Sequence, residues 1–240
     1  MDILPSSCSL QHLIYAMPSQ ENIGCCSASS SLLAAEIFLN SQNRTKPLSR
    51  LYVYYMARKL GNRLKQKGVS LYNTLRSMEL YGAAPDNVWP LRHNYIDKEP
   101  HAAVEECARE YRLNKFSHIG INEFKDYLLS GIPIIVGIKT GRKFWKLKGP
   151  YENHLYGSVN DTDNRHSLNH AITIVGYDDN LSDGSWIIAN SAGLPWGNRG
   201  FGAISYACNV DIGESFVITE FAGITIDKKF PIIENLKDML

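Results

Sequence analysis

The stretch that decides the fold is residues 20–30, QENIGCCSASS, in which two adjacent cysteines follow a glycine and precede a run of small residues. Apolar residues then recur at helical spacing, at Ala28, Leu32, Ala35 and Leu39. The pattern predicts a helix that begins near Cys26. A helix N-terminus carries unpaired N–H groups and partial positive charge, which stabilise a thiolate there. Cys26 is therefore a candidate nucleophile, and a buried thiol without chemistry is the alternative.

The composition is that of an ordinary globular chain. Its 240 residues, of which 44% are hydrophobic and 20% charged, predict one domain or two closely packed lobes. The 25 basic and 24 acidic residues give a net charge of +1, which does not favour nucleic acid as a partner. No window approaches the roughly 18 apolar residues that a membrane span needs. Residues 1–18 lack a basic segment followed by an apolar core, so no secretory signal is predicted.

The cysteines form neither a disulfide framework nor a metal motif. Their number is odd and no C-x-x-C or H-E-x-x-H spacing is present. The five are Cys8, Cys25, Cys26, Cys107 and Cys208. Adjacent cysteines rarely bridge each other, so we expect reduced thiols, in keeping with a cytoplasmic protein. We predict no metal site and no cofactor.

The chain reads as helices first and strands second. Helices are predicted after the one at Cys26 at residues 48–61, 71–82, 101–112 and 122–131. From Ile132 onward, short β-branched and aromatic runs alternate with Gly, Asp and Asn, as strands alternate with turns. This order predicts an α+β fold.

We expect a single domain over residues 1–240. It has a helical lobe at about residues 10–115, a β lobe at about 116–225 and a tail at 226–240. The change from helical patterns to strand patterns predicts a seam between the two lobes near residues 113–131, where a cleft is expected. Residues 149–168 are polar and rich in turn formers, so a loop is expected there.

Two motifs in the second half supply partners for a thiol. His170 opens a predicted strand in NHAITIVGYDD, and Asn190 ends the next strand in WIIAN. A thiolate needs a base that keeps its proton as imidazolium, and that base needs an acceptor on its other ring nitrogen. The separation of His170 from Cys26 lies within the rough 130–150 residues of one Cys/His family, and Asn190 lies slightly beyond it.

Four motifs in order resemble those of papain-like cysteine peptidases, especially the compact microbial and viral branch without a long propeptide. Residues 20–30 resemble the family's Q-x-x-x-G-x-C-x-A-x-S, and LSRLYVYYMARKL resembles its second helical motif. NHAITIVGY and ANSAGLPWGNRGFGAI resemble the His and Asn motifs. The resemblance covers about residues 10–220. It implies two lobes, one mainly helical and one of antiparallel strands, with the active-site cleft between them.

The resemblance assigns a role to each matching residue. Cys26 matches the nucleophile, His170 the general base and acid, and Asn190 the residue that orients the imidazole. Gln20 matches the side-chain donor to the oxyanion, with the backbone N–H of Cys26 as the second donor. Cys25 matches a spectator position.

The resemblance also places substrate-binding residues beside the cleft. They are Gly68, Val69, Asn169, Ala171 and Trp196. Asn169 and Ala171 border the main specificity pocket in the family, and the small side chain of Ala171 favours a roomy apolar pocket.

Three positions depart from the family pattern. The aromatic residue usual after the nucleophile is Ser27 here, and the paired glycine of the substrate-binding wall is reduced to Gly68. The aromatic residue that shields the His–Asn bond is replaced by Ala192. We therefore expect water to reach the bond between Asn190 and His170 and to weaken it.

The implied function is hydrolysis of peptide bonds through a thioester acyl-enzyme. Acyl transfer by the same triad and a catalytically weak peptide-binding homologue are the alternatives. The expected partner is a peptide or protein substrate, without nucleic acid or membrane, and a monomer is expected. A cytoplasmic protein at synthesis fits either a bacterial effector delivered by a non-Sec route or a viral protein. Whether residues 1–18 occupy the cleft is left open.

Overall fold

The computed structural model describes residues 4–148, 155–156 and 169–225. The predicted tail at 226–240 lies outside the described residues, as does the predicted loop at 149–168 except for residues 155–156. Within the described part, no helix combines the length and the apolar character needed to cross a bilayer.

The helices lie mainly in the first half of the chain, as predicted. Those in the described residues are α1 (Cys26–Ser41), α2 (Arg50–Leu60), α3 (Leu71–Tyr81), α4 (Ala102–Ala108), α5 (Phe124–Leu129) and α6 (Arg142–Trp145). The side chains of Ser49 and Ser70 accept backbone N–H groups in the first turns of α2 and α3, which satisfies donors that a helix end leaves unpaired. Helix α6 was not predicted.

The strands within the described residues form one sheet. They are β1 (Ser7–Ser9), β2 (Leu113–His118), β3 (Ile134–Ile138), β4 (Leu155–Tyr156), β5 (His170–Asp178), β6 (Ser185–Ala189), β7 (Phe201–Ser205), β8 (Ile212–Phe221) and β9 (Ile224–Thr225). The order is β2-β8-β3-β5-β6-β7-β4, with β1 beside β5 and β9 beside β8. All pairs are antiparallel except β4 with β7. The predicted α+β fold is confirmed.

Residues 113–131, where the sequence predicted a seam, pack with the sheet. Strand β2 pairs with β8 over residues 113–118, and α5 packs against β3 and β5. Both elements therefore belong to the β lobe, and the predicted boundary after residue 115 falls inside β2. The sequence did not predict β2 because its polar residues interrupt the continuous apolar run that is typical of a central strand.

Helix α1 joins the two lobes. The sequence predicted an apolar stripe on one face, but its first ten residues after Cys26 are buried except for Glu36. The helix packs against α2 and α3 on one side and β5 on the other. Across the second contact the hydroxyl of Thr173 donates to the carbonyl of Ser30 at 3.0 Å. The small residues at the start of α1 allow the strand to approach closely.

Residues 7–9 lie along the sheet, at the end of β5 away from His170. Strand β1 pairs with the far end of β5, with Ser9 opposite Gly176 and Ser7 opposite Asp178. At about 3.3 Å per residue, this end of β5 lies roughly 20 Å from His170. A side chain at position 176 would place its Cβ 2.3 Å from the Cys8 carbonyl oxygen, so Gly176 permits the pairing.

Candidate active site

The start of α1 meets the start of β5. Cys26 is the first residue of α1, and Cys25 occupies the position before it. The backbone N–H groups of Ser27 and of Ala171, the residue after His170, lie near enough to the Cys26 thiol to favour its thiolate and lower its pKa, against the larger opposing effect of burial. The structure therefore brings the predicted nucleophile to the residue next to the predicted base, although 144 positions separate Cys26 from His170 in the numbering.

The two adjacent cysteines have different surroundings. Cys25 is fully buried, and its sulfur lies 3.8 Å from the hydroxyl of Ser29. Burial raises the pKa of Cys25 to about 11, which disfavours its thiolate. Cys26 is only partly buried. The arrangement agrees with the interpretation of Cys25 as a structural thiol.

His170 is joined to Asn190. Its Nε2 lies 2.8 Å from Asn190 Oδ1, and the backbone N–H of Asn190 donates to Gly200 at 2.9 Å. With Nε2 engaged in this way, Nδ1 is the ring nitrogen left for a thiol. Burial lowers the pKa of His170 to about 4, and the hydrogen bond with Asn190 opposes this shift.

The expectation that water reaches the Asn190–His170 bond is wrong. Asn190 is 0% exposed and His170 only 5% exposed. The cover comes from α6, where the ring of Trp145 lies 4.6 Å from the imidazole and the ring of Phe144 lies 5.7 Å from it, centroid to centroid. The adjacent aromatic pair at 144–145 was the signal in the sequence, but its distance from Ala192 along the chain hid the connection.

The side chain of Gln20 is held on both ends of its amide. Its Nε2 donates to the Ile23 carbonyl at 2.8 Å, and its Oε1 accepts the hydroxyl of Ser191 at 2.5 Å. The backbone N–H of Gln20 also donates to the Ser191 carbonyl at 2.8 Å. An amide NH₂ carries two donors, so the second one is left for a substrate oxygen. The sequence did not identify Ser191 as a partner of Gln20.

Gly68 and Val69 form a short segment beside the nucleophile loop. Gly68 has φ +75°, a conformation that favours glycine, and a Cβ on Gly24 would lie 3.5 Å from the Gly68 nitrogen. The backbone N–H of Gly68 donates to the hydroxyl of Tyr54 at 3.3 Å. The guanidinium of buried Arg58 lies 4.3 Å from the Tyr54 ring. Tyr54, a buried residue of α2, therefore anchors this segment.

Two of the other predicted substrate-binding residues, Asn169 and Ala171, flank His170 and differ in exposure. Asn169 is exposed and exchanges hydrogen bonds with the backbone and hydroxyl of Thr140, which ties the end of β3 to the start of β5. Ala171 is buried and lies opposite Gly137 in β3.

Trp196 was predicted to bind substrate, but its side chain is buried. It is only 4% exposed, and its indole N–H donates to the Phe144 carbonyl at 2.8 Å. Its ring also packs against that of Phe144, with centroids 5.0 Å apart. Trp196 therefore supports α6 from behind and offers little surface to a ligand.

Comparison with known sequences gives one family, described as papain family cysteine protease, which matches residues 5–219. An uncharacterised peptidase C1-like protein of Acanthamoeba polyphaga mimivirus is 28% identical over 214 residues, covering 78% of this chain and 63% of the viral protein. Peptidase 1 of Dermatophagoides farinae is 25% identical over 227 residues, covering 89% of this chain and 64% of the mite protein. The chain thus spans less than two thirds of the length of either relative.

Solved structures share the fold. Xylellain, a cysteine protease from Xylella fastidiosa, superposes with a TM-score of 0.77 at 22% identity, over 90% of this chain and 86% of that one. The bromelain protease from Ananas comosus, in complex with the E64 inhibitor, gives 0.68 at 21% identity, over 89% and 98%. Since the family match extends over most of the sequence and the fold agrees, the chain belongs to the papain family of cysteine proteases.

Proposed function

We propose that this chain is a cysteine peptidase that hydrolyses peptide bonds with Cys26 as nucleophile, His170 as base and acid, and Asn190 as orienter. The observation that carries the proposal is the meeting of α1 and β5. The Cys26 thiol lies near the backbone N–H of Ala171, the residue after His170, and the imidazole is held through Nε2 by Asn190 at 2.8 Å, with Nδ1 left for the thiol. Nucleophile, base and orienter in series are the arrangement that activates a thiol.

The reaction proceeds in two halves. The Cys26 sulfur attacks the substrate carbonyl carbon, and the proton of the thiol passes to His170 Nδ1. The oxyanion that forms accepts hydrogen bonds from Gln20 Nε2 and from the backbone N–H of Cys26. His170 then protonates the departing amine, which leaves a thioester. Water, deprotonated by His170, hydrolyses the thioester and returns the thiol.

Burial acts against charge on both reacting groups. It raises the pKa of the Cys26 thiol and lowers that of His170 to about 4, so each group alone prefers its neutral form. Proton transfer from thiol to imidazole creates both charges at once, and their attraction offsets the desolvation of the pair. The predicted thiolate–imidazolium pair therefore depends on close approach of these two groups, which the substrate and the dry site promote.

The substrate is a peptide or protein segment bound between the two lobes. The Gly68–Val69 segment, fixed by Tyr54 at 3.3 Å, offers an edge for the substrate backbone on one side of Cys26. Ala171 and Asn169 line the other side, where the small side chain of Ala171 leaves room for an apolar residue. We place peptide hydrolysis ahead of a purely binding role because the Gln20 amide is held with one donor left for an oxyanion.

The test is labelling by an electrophilic peptide analogue, read by mass spectrometry and paired with turnover of a fluorogenic peptide library. The wild type should be labelled on Cys26 and should cleave peptides, and Cys26→Ala should do neither. Labelling without cleavage in the wild type would favour the weak peptide-binding homologue. Cleavage that diverts to a new amide when a primary amine is added would favour the acyl transferase.

A further inference from the structure

Helix α6 brings an aromatic ring to the predicted general base. The Trp145 ring lies 4.6 Å from the His170 ring at an interplanar angle of 58°, and Trp145 is 47% exposed. Phe144 beside it is fully buried. The imidazole therefore packs against a side chain that is itself half in solvent.

The four-residue helix is fastened to the segment after Asn190. The indole N–H of Trp196 donates to the Phe144 carbonyl at 2.8 Å, and the backbone N–H of Gly197 donates to the Leu147 carbonyl at 2.9 Å. These two bonds hold the backbone on either side of Trp145. The ring over His170 is thus set by the same segment that carries the orienting Asn190.

We propose that Trp145 is a positioning residue for His170, whose ring supplies the cover that Ala192 lacks and keeps the imidazole on its bond to Asn190. The proposal rests on the proposed function for the role of His170. A methyl group at position 192 is too small to cover the pair, yet Asn190 is 0% exposed. Asn190 Nδ2 is buried without a hydrogen-bond partner among the described residues, so packing rather than a full set of hydrogen bonds fixes this amide.

The surroundings of His170 give the Trp145 ring a second role besides covering the imidazole. Among the described residues, Asn190 and the two aromatic rings of α6 lie against the imidazole, while the charged residues of α6, Arg142 and Lys143, are exposed. An aromatic ring attracts a cation near its face. Trp145 therefore excludes water and also favours the imidazolium that forms during the reaction.

The kinetic test compares Trp145→Ala with Trp145→Phe. We expect Trp145→Ala to lower kcat by about 10- to 100-fold with KM nearly unchanged, because a misplaced base costs rate rather than binding. Trp145→Phe should keep most of the activity, and adding Ala192→Trp to Trp145→Ala should restore part of it. Tyr72→Ala, which removes a similarly exposed ring that packs on Phe116 and not on His170, is the matched control. An unchanged kcat in Trp145→Ala, or an effect on KM alone, would overturn the proposal.

A spectroscopic test does not need peptidase activity. Protonated imidazole quenches indole fluorescence, so the emission of Trp145 should fall as His170 gains its proton. The measurement is made in a His101→Gln background, because His101 lies 5.9 Å from the Trp89 ring and would quench that indole as well. In this background the pH-dependent component should disappear in Trp145→Phe and in His170→Ala. Its persistence in His170→Ala would refute the contact between the two rings. Its presence in a protein that cleaves no peptide would keep the ring contact and reject the proposed function instead. Because Trp145→Phe keeps an aromatic ring in place, its comparison with the wild type remains if Trp145→Ala fails to fold.

Discussion

Gln20 and Ser191 are joined at two points. The backbone N–H of Gln20 donates to the Ser191 carbonyl at 2.8 Å, and the Ser191 hydroxyl donates to Gln20 Oε1 at 2.5 Å. Ser191 follows Asn190 directly. One short segment therefore holds both the residue that orients His170 and the residue that is proposed to stabilise the oxyanion. The two parts of the proposed machinery keep their relative position through this junction.

Loss of the Gln20 amide should slow the chemical step. We expect Gln20→Ala to lower kcat by about 10²- to 10³-fold, as removal of one oxyanion donor does elsewhere, with little change in Tm. Ser191→Ala should have a smaller effect, since the backbone bond to Gln20 remains. Steady-state kinetics and thermal unfolding measure both variants. An unchanged kcat in Gln20→Ala would remove Gln20 from the mechanism.

The adjacent cysteines should respond differently to substitution and to alkylation. Cys26→Ala should abolish turnover and Cys25→Ser should keep most of it. Iodoacetamide should modify Cys26 before Cys25, because Cys25 is 0% exposed and has its pKa raised to about 11 by burial. Peptide mapping of the alkylated protein reads the order. The assignment fails if Cys25 is alkylated first, or if Cys25→Ser is the inactive variant.

His170 should make stability depend on pH. Its folded pKa of about 4 lies below the ordinary value of about 6.5, so the unfolded chain binds more protons between these values. The contribution of neutral His170 is full above pH ~6.5 and is lost as the pH falls towards ~4. A shift of this size corresponds to roughly 3 kcal/mol.

Denaturant unfolding at several pH values measures this effect. The slope of the unfolding free energy between pH ~4 and ~6.5 should flatten in His170→Gln. His12→Gln, which replaces an exposed histidine, is the control and should keep the wild-type slope. Equal slopes in wild type and His170→Gln would mean that the imidazole is not held neutral by burial.

Removal of the Tyr54 hydroxyl should weaken substrate binding. Tyr54→Phe loses the acceptor of the Gly68 N–H, a bond worth about 1 kcal/mol, so we expect KM to rise about fivefold with kcat nearly constant. Tyr52→Phe is the matched control, because its hydroxyl donates to the Tyr81 carbonyl at 3.3 Å, away from the wall. Equal effects of the two substitutions on KM would point to general destabilisation instead.

Much of the site could be predicted from local features. The glycine before the two cysteines and the small residues after them predicted a helix that starts at Cys26, and α1 begins there. The start of β5 at His170 and the end of β6 beside Asn190 followed from β-branched runs bounded by turn residues. These features depend on neighbours within a few residues, which is the range over which helix and strand signals act.

Only the tertiary structure decided how well the site is covered. Ala192 predicted an exposed Asn190–His170 bond, but Trp145 and Phe144 reach it from α6 and leave it buried. Burial is a sum over every segment that packs nearby, so one small residue does not determine it.

The same reason explains the other differences. Tyr54 meets Gly68, Ser191 meets Gln20, and Trp196 turns inward to hold α6. The residue types and their order along the chain determined which chemistry was available to this protein. The packing of distant segments decided which of those residues touch, because contact depends on distance in space and local patterns report only distance along the chain.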